Sequence, residues 1–378
     1  MRTIQLDADG MTPRELRADV PALSDAAYFN YGAHGPSPEY VVEAAASFIE
    51  DHEFGSATTD PYEHAFGTYD RVRERIAAFV GAEPEEIALT ESTTDGINRV
   101  AGAIDWEPGD VVVRTDLEHP AGVLPWKRLE REGVEVRVLE TEDGRLDRDE
   151  YAEAVADARL VCFSAITWTH GTRLPVADLV EVANDAGAFT LVDAVQSPGQ
   201  MPMDVNEWGA DAVAAAGHKW TLGPWGASSV DRDVAAGLEP RVVGYRSVAD
   251  PTGDEIEFKP AAGRFEIGTT TAAAHVGLVE ALDAIEAVGV DAIESRIASL
   301  TDRLKAGVPE ERLLSPREHE SGLVTVDVDD PEATVERLAA DDIVVRSLPH
   351  PDGVRVSVHA VSTEAEIDRL LDALEPEW

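Results

Sequence analysis

Between about residue 70 and residue 216, short apolar runs rich in β-branched residues alternate with amphipathic stretches. "EEIALT", "DVVVRT", "VEVRVLE", "ARLVCFSAI", "AFTLVDAV" and "DAVAAAG" have strand character, and the segments between them space apolar residues three and four apart. Two of those segments, "YDRVRERIAAFVG" and "PVADLVEVANDAG", close on a glycine, as helix C-termini do. The alternation predicts a mainly parallel sheet covered by helices, because same-direction strands need a crossover and continuously apolar strands need cover on both faces. Between Asp231 and Gly263 the pattern dissolves into Gly, Pro and charge; a long helical pattern, "TAAAHVGLVEALDAIEAVG", and shorter αβ elements follow. The last of these, "STEAEIDRLLDALE", has Thr363 three residues before Glu366, a capping-box spacing. The predicted architecture is α/β in two parts: a large domain over residues 25–245, and a smaller α/β domain made of residues 1–24 and 246–378.

Composition narrows the class. A chain of 378 residues with 44% hydrophobic content can bury a sizeable core in two parts. Its 74 acidic residues against 31 basic ones give a net charge of −43, a field that repels phosphate backbones and argues against a nucleic-acid partner. Because the acids are scattered among apolar residues without long blocks, the charge predicts a folded, salt-adapted protein, halophilic in character. The single cysteine, Cys162, excludes an internal disulfide and any multi-cysteine metal site, and its apolar run "LVCFSAI" predicts a buried thiol. The N-terminus "MRTIQLDADG" has no apolar signal core and no stretch is long enough to span a membrane, so a cytoplasmic location without a membrane partner is expected. The ten histidines show no metal-ligand spacing, and no P-loop or G-x-G-x-x-G run is present.

In an open parallel sheet, ligands gather at the carboxyl ends of the strands. "AFTLVDAVQS" ends its strand on Asp193, either a helix N-cap or the partner of a cationic group. "DAVAAAGHK" ends on His218 and Lys219; lysine occurs at only three other positions, Lys127, Lys259 and Lys305. Lys219 is either a surface charge or a desolvated amine suited to an imine, which arginine cannot form. "ALTESTTDGINRV" places hydroxyls and free backbone N–H groups at a helix start, as a plain cap or as an anion site suited to a phosphate.

Taken in order, "TESTTDGIN", "EHPAGVLPW", "LVDAVQSPGQMPMDV", "GHKWTLGPWG" and "RFEIGTT" resemble the class V aminotransferase family of fold type I pyridoxal 5′-phosphate enzymes, which includes cysteine desulfurases and isopenicillin-N-epimerase-like proteins. The resemblance runs from "YFNYGAHGPSP" to "RVSVHAVSTEAEIDRL". It implies that Lys219 bonds covalently to the cofactor aldehyde and that Asp193 pairs with the pyridine nitrogen. It further implies that His119 stacks on the ring, Gln196 reaches the phenolic oxygen, His218 neighbours the phosphate and the imine, and Thr93 and Thr94 cradle the phosphate. Gly268 and Thr269 would reach the phosphate of a second subunit, implying a homodimer. Arg355 would grip the α-carboxylate of a small amino acid substrate, with Arg346 a weaker candidate.

Several positions depart from the family pattern. Ala165 stands where a histidine is frequent, Trp168 where desulfurases place an asparagine, and Ala216 where many members have a serine; "HAVST" replaces a tyrosine-asparagine pair. "VVRSLPHPDGVR" lacks the cysteine that desulfurases carry before the carboxylate-binding arginine. On that ground the expected reaction is transamination and not persulfide-forming desulfuration, because the latter needs a mobile thiolate. Epimerisation, a lyase reaction, or cofactor binding without turnover are the alternatives.

Overall fold

The structure is a computed structural model that describes residues 10–58, 60–224, 227–231 and 237–378; Trp225 and Gly226 of the "GPWG" run, and the first nine residues, lie outside the described residues. The two-residue strand β1 (Ala27–Tyr28) precedes a seven-stranded sheet. That sheet contains β2 (Ile87–Thr90), β3 (Val111–Thr115), β4 (Glu135–Leu139), β5 (Leu160–Ser164), β6 (Phe189–Asp193), β7 (Ala212–Ala216) and β8 (Ala227–Asp231), in the order β2-β8-β7-β6-β5-β3-β4. Pairing is parallel from β4 through β7, and β8 runs antiparallel to both its neighbours. The mainly parallel α/β sheet expected from the alternation is therefore present.

β5 and β7 are buried at every position, which explains their unbroken apolar sequences. Successive residues serve opposite cores: Val113, Val161, Val192 and Val213 pack on one face, with helix Val176–Asp185 contributing Leu179 and Val180. Val112, Cys162, Leu191 and Ala212 pack on the other, with Ile97 and Val100 of helix Thr93–Ala103 and with Trp126. The period of two along each strand is what sorts them.

The C-terminal segment forms β9 (Leu323–Val326), β10 (Ile343–Val344), β11 (Arg346–Pro349) and β12 (Asp352–Ser357). β11, β12 and β9 make an antiparallel sheet, while β10 pairs in parallel with β1. Its core joins Val324, Val356, Leu300, Ile367 and Leu370 to Ala27 and Phe29, so the chain enters through this core before building the large sheet. Residues 30–35, leaving that core, run to the carboxyl ends of β6 and β7, where Gly35 N–H donates to the His218 carbonyl at 2.8 Å.

Candidate active site

Lys219 follows β7, is half-buried, and carries an amine to which no described side chain donates or accepts a hydrogen bond. Burial, then the nearby Arg355 and Arg346 guanidinium groups, push it down to about 7 against the opposing pull of Asp193. Asp193 ends β6 and is 2% exposed. Its Oδ1 accepts from Val195 N–H at 2.9 Å; burial raises its carboxyl, while that hydrogen bond and Lys219 act the other way. Both readings open at Asp193 find support: its Oδ1 caps the turn through Val195 N–H, and Lys219 acts electrostatically on its carboxyl.

His119 and His218 flank this pair. The His119 Nδ1 accepts from Ala121 N–H, which leaves Nε2 to carry the hydrogen, and its ring lies edge-on to Trp168 at 5.3 Å. Burial, reinforced by Lys219, Arg346 and Arg355, lowers it to about 4, so the ring is neutral and free to pack against an aromatic ring. His218 stacks on His34 at 6.3 Å and is lowered to about 3 by burial, Lys219 and His34.

Gln196 is held on both sides: its Nε2 donates to the Gly32 carbonyl at 3.0 Å, and its Oε1 accepts from Trp220 Nε1 at 2.8 Å. One hydrogen of its amide remains available. At the start of helix Thr93–Ala103, Ser92 caps the chain by accepting from Asp95 N–H at 3.0 Å. Thr93 is buried and its Oγ1 has no hydrogen-bond partner among the described residues, and Thr94 is exposed beside it. An orphaned hydroxyl in the first turn of a helix suits an anion. Thr269 lies on an exposed stretch with its N–H and hydroxyl bonded to the Tyr245 phenol.

Arg355, on β12, is 1% exposed. Its Nη1 donates to the Trp168 carbonyl at 2.8 Å and its Cζ sits 5.9 Å from the Trp168 ring centre, while Nε and Nη2 are buried without partners among the described residues. Two unsatisfied N–H groups on one fork form an unmet demand for a planar carboxylate. Burial, and Arg346 directly across the β11–β12 pairing, lower Arg355 to about 9, so it stays charged at neutral pH.

Sequence reasoning assigned no role to the loop 30–35. A Cβ on Gly35 would lie 2.0 Å from the Lys219 carbonyl, and one on Gly32 would lie 3.1 Å from the Arg355 Cζ. Buried oxygens of Asn30 and Ser357 beside this loop also lack partners. The two closely spaced glycines were the available signal. Glu118 was missed as well, a buried carboxyl next to His119 that bonds Thr115 and Ser164.

The features present fit pyridoxal 5′-phosphate: an unencumbered amine, a buried acid with one oxygen to spare, and an orphaned hydroxyl at a helix start. Residues 27–370 match the family model Aminotransferase class-V, and the chain belongs to that family. Its cofactor is pyridoxal 5′-phosphate. A relative from Methanothermobacter thermautotrophicus, named a probable cysteine desulfurase, is 34% identical over 304 residues, covering 79% of this chain and 76% of that one. Among solved structures, the apo cysteine desulfurase of Thermococcus onnurineus aligns at TM-score 0.89 and 28% identity over 97% of this chain and 98% of its own. The cystine C–S lyase C-DES, solved with its reaction product cysteine persulfide, aligns at TM-score 0.87 and 27% identity, over 94% of this chain and 98% of its own. A C-DES variant with glycine covalently linked to the cofactor aligns at 0.88, with 26% identity over 96% and 99%.

These relatives overturn the expectation of transamination and the exclusion of persulfide-forming desulfuration. That exclusion treated one missing nucleophile as the loss of the whole reaction. A thiol on the loop before Arg355 provides one route for sulfur, and its absence removes only that route. Cys162 is fully buried in β5 and its thiol is raised well above the ordinary range by burial and by Glu118 and Asp193.

Proposed function

We propose that this chain cleaves the carbon–sulfur bond of a cysteine-type amino acid. The observation that carries the reading is Arg355, whose Nε and Nη2 lack partners while its charge is felt at Lys219. The names of the relatives supply the sulfur chemistry.

Pyridoxal 5′-phosphate, when bound, supplies an aromatic ring that withdraws electrons from the substrate α-carbon. Lys219 would hold it covalently, and Thr93, Thr94 and the helix start would hold the phosphate. Asp193 would keep a proton at the ring nitrogen, through the oxygen not engaged with Val195. His119, a neutral imidazole, would lie against the ring, and Gln196 would offer its remaining N–H to the phenolic oxygen. Arg355 takes the substrate α-carboxylate by a two-point contact and so orients the Cα–H. Lys219, lowered to about 7 and so about half unprotonated near neutral pH, would be the base that takes that proton. Sulfur leaves as sulfide when the Cβ–S electrons go with it, giving pyruvate and ammonia after hydrolysis; when a thiolate from outside the chain attacks the sulfur, those electrons stay with carbon, giving a persulfide and alanine.

A second reading, a disulfide-linked substrate such as cystine, is favoured by Arg346. It faces Arg355 across the hairpin and lies close enough to lower Lys219, Arg355 and His119, which suits a second carboxylate. Holoenzyme given L-cysteine or L-cystine, with sulfide, persulfide, alanine and pyruvate assayed, tests both readings. Release of sulfur from neither substrate defeats the proposal.

The active unit in this reading is a homodimer. Val42, Ile49 and Phe54 are exposed on one helix, Tyr62 and Phe66 on the next, and Val242, Val243 and Tyr245 near Thr269. The Arg246 guanidinium lies 5.2 Å from the Phe66 ring centre and links the two regions. Apolar surface of this kind suits a second copy of the chain. Sedimentation at the monomer mass in molar KCl would remove this part of the reading.

A further inference from the structure

Glu118 is a buried carboxyl that the chemistry above does not use. It lies between β3 and the His119 turn, 5% exposed, and every hydrogen bond it makes is to a neutral group. Its Oε1 accepts from the Thr115 hydroxyl at 2.6 Å and from Ser164 N–H at 3.2 Å; its Oε2 meets the Ser164 hydroxyl at 2.6 Å. Among the described residues no arginine or lysine forms an ion pair with it. Ser164 is the register partner of Asp193 across β5 and β6, so their side chains share one face of the sheet. Two carboxyl groups thus stand side by side in a region without solvent, which disfavours two negative charges there.

We propose that Glu118 is a positioning residue for Asp193, a second carboxyl that carries a proton when Asp193 is ionised and ties β5 to the His119 turn, so that one negative charge faces the ring nitrogen. The inference rests on the assignment of Asp193 to that nitrogen. The neighbouring titratable and charged groups agree with it. Asp193 on β6 carries the competing charge, and the Cys162 thiol on β5 is uncharged. His119 is neutral, Lys219 bears on Asp193, and the Arg114 guanidinium of β3 is turned to the Thr115 carbonyl at 2.8 Å. Burial brings Glu118 up to about 7 against the Ser164 and Thr115 hydrogen bonds, with Asp193 adding to the rise. A neutral Glu118 can also donate to the Ser164 hydroxyl, which an ionised one cannot.

The test is pH-difference infrared spectroscopy of the holoenzyme, read alongside the pH dependence of the cofactor's visible band. Wild type should show the carbonyl stretch of a protonated carboxyl disappearing with a midpoint near about 7. Glu118→Gln should lose that signal and the matching inflection in the visible band. Asp193→Asn should keep the signal but lower its midpoint by about one unit, since the like charge is gone. If Glu118→Gln does not fold, the Asp193→Asn shift decides alone. Persistence of the signal in Glu118→Gln, its absence from wild type, or an unmoved midpoint in Asp193→Asn overturns the proposal. The same measurement on apoprotein separates this outcome from an error over the cofactor: the carboxyl coupling is a property of the chain and survives there.

Discussion

Lys219 should react with pyridoxal 5′-phosphate as a neutral amine at ordinary pH. Its ammonium is lowered from 10.5 to about 7, chiefly by burial and next by Arg355. At about 1.36 kcal/mol per unit, the charged form is destabilised by about 5 kcal/mol relative to that of a free lysine. Half of the chains carry the free amine near neutral pH, against about three in ten thousand for an unperturbed lysine, so imine formation should be faster by roughly three orders of magnitude. The assay is stopped-flow mixing of apoprotein with excess cofactor in concentrated KCl, following the visible band across pH. The rate should rise to a plateau just above neutrality. Arg355→Gln should move the midpoint upward by removing a repelling charge, and Asp193→Asn should move it downward by removing an attracting one. A wild-type rate that keeps climbing about tenfold per pH unit beyond pH 9 would show an ordinary lysine and refute the reasoning. The depression also has a thermodynamic sign. Between about 7 and 10.5 the unfolded chain binds a proton that the folded apoprotein does not, so stability should rise with pH through that window.

Arg355→Lys replaces a fork by a point charge and should raise KM for the amino acid by about a hundredfold with the visible band retained; steady-state kinetics at saturating cofactor check this. Gly35→Ala puts a methyl group 2.0 Å from the Lys219 carbonyl, so the loop or the lysine must move, and cofactor retention after dialysis should fall with a stability loss of about 2 kcal/mol by denaturant titration. With a net charge of −43, thermal stability should climb steeply between dilute buffer and molar KCl, where the screening length shrinks to about 3 Å. Equal stability in both solutions would mean that the acidic surface has no bearing on salt adaptation.

The sheet could be read from the chain because its signals are local. An apolar run four or five residues long between helical stretches means a buried strand whatever its neighbours do, and β5 and β7 obey this at every position. The acid ending β6 and the lysine following β7 stood out for the same reason, as a sharp change of residue type where an apolar run stops. Parallel crossovers bring all such strand ends to one edge, so Asp193, His218 and Lys219 met without any detail of the loops.

Other parts of the site depend on contacts between distant segments. Gln196 reaches Gly32 across 164 residues of sequence, and Arg355 reaches the Trp168 carbonyl across 187. Glu118 resembles any acid before a histidine until Ser164 and Thr115 close around it. Its neutral-side partners, the spare N–H groups of Arg355 and the lowered proton affinity of Lys219 follow from the removal of water when β12, loop 30–35 and the sheet edge come together. Residue type and spacing along the chain therefore carried the architecture and marked the candidate groups at the sheet edge. Their charge states, their free hydrogen-bonding positions and the loop that holds them arose only on packing, because desolvation and long-range pairing have no local signature in a linear sequence.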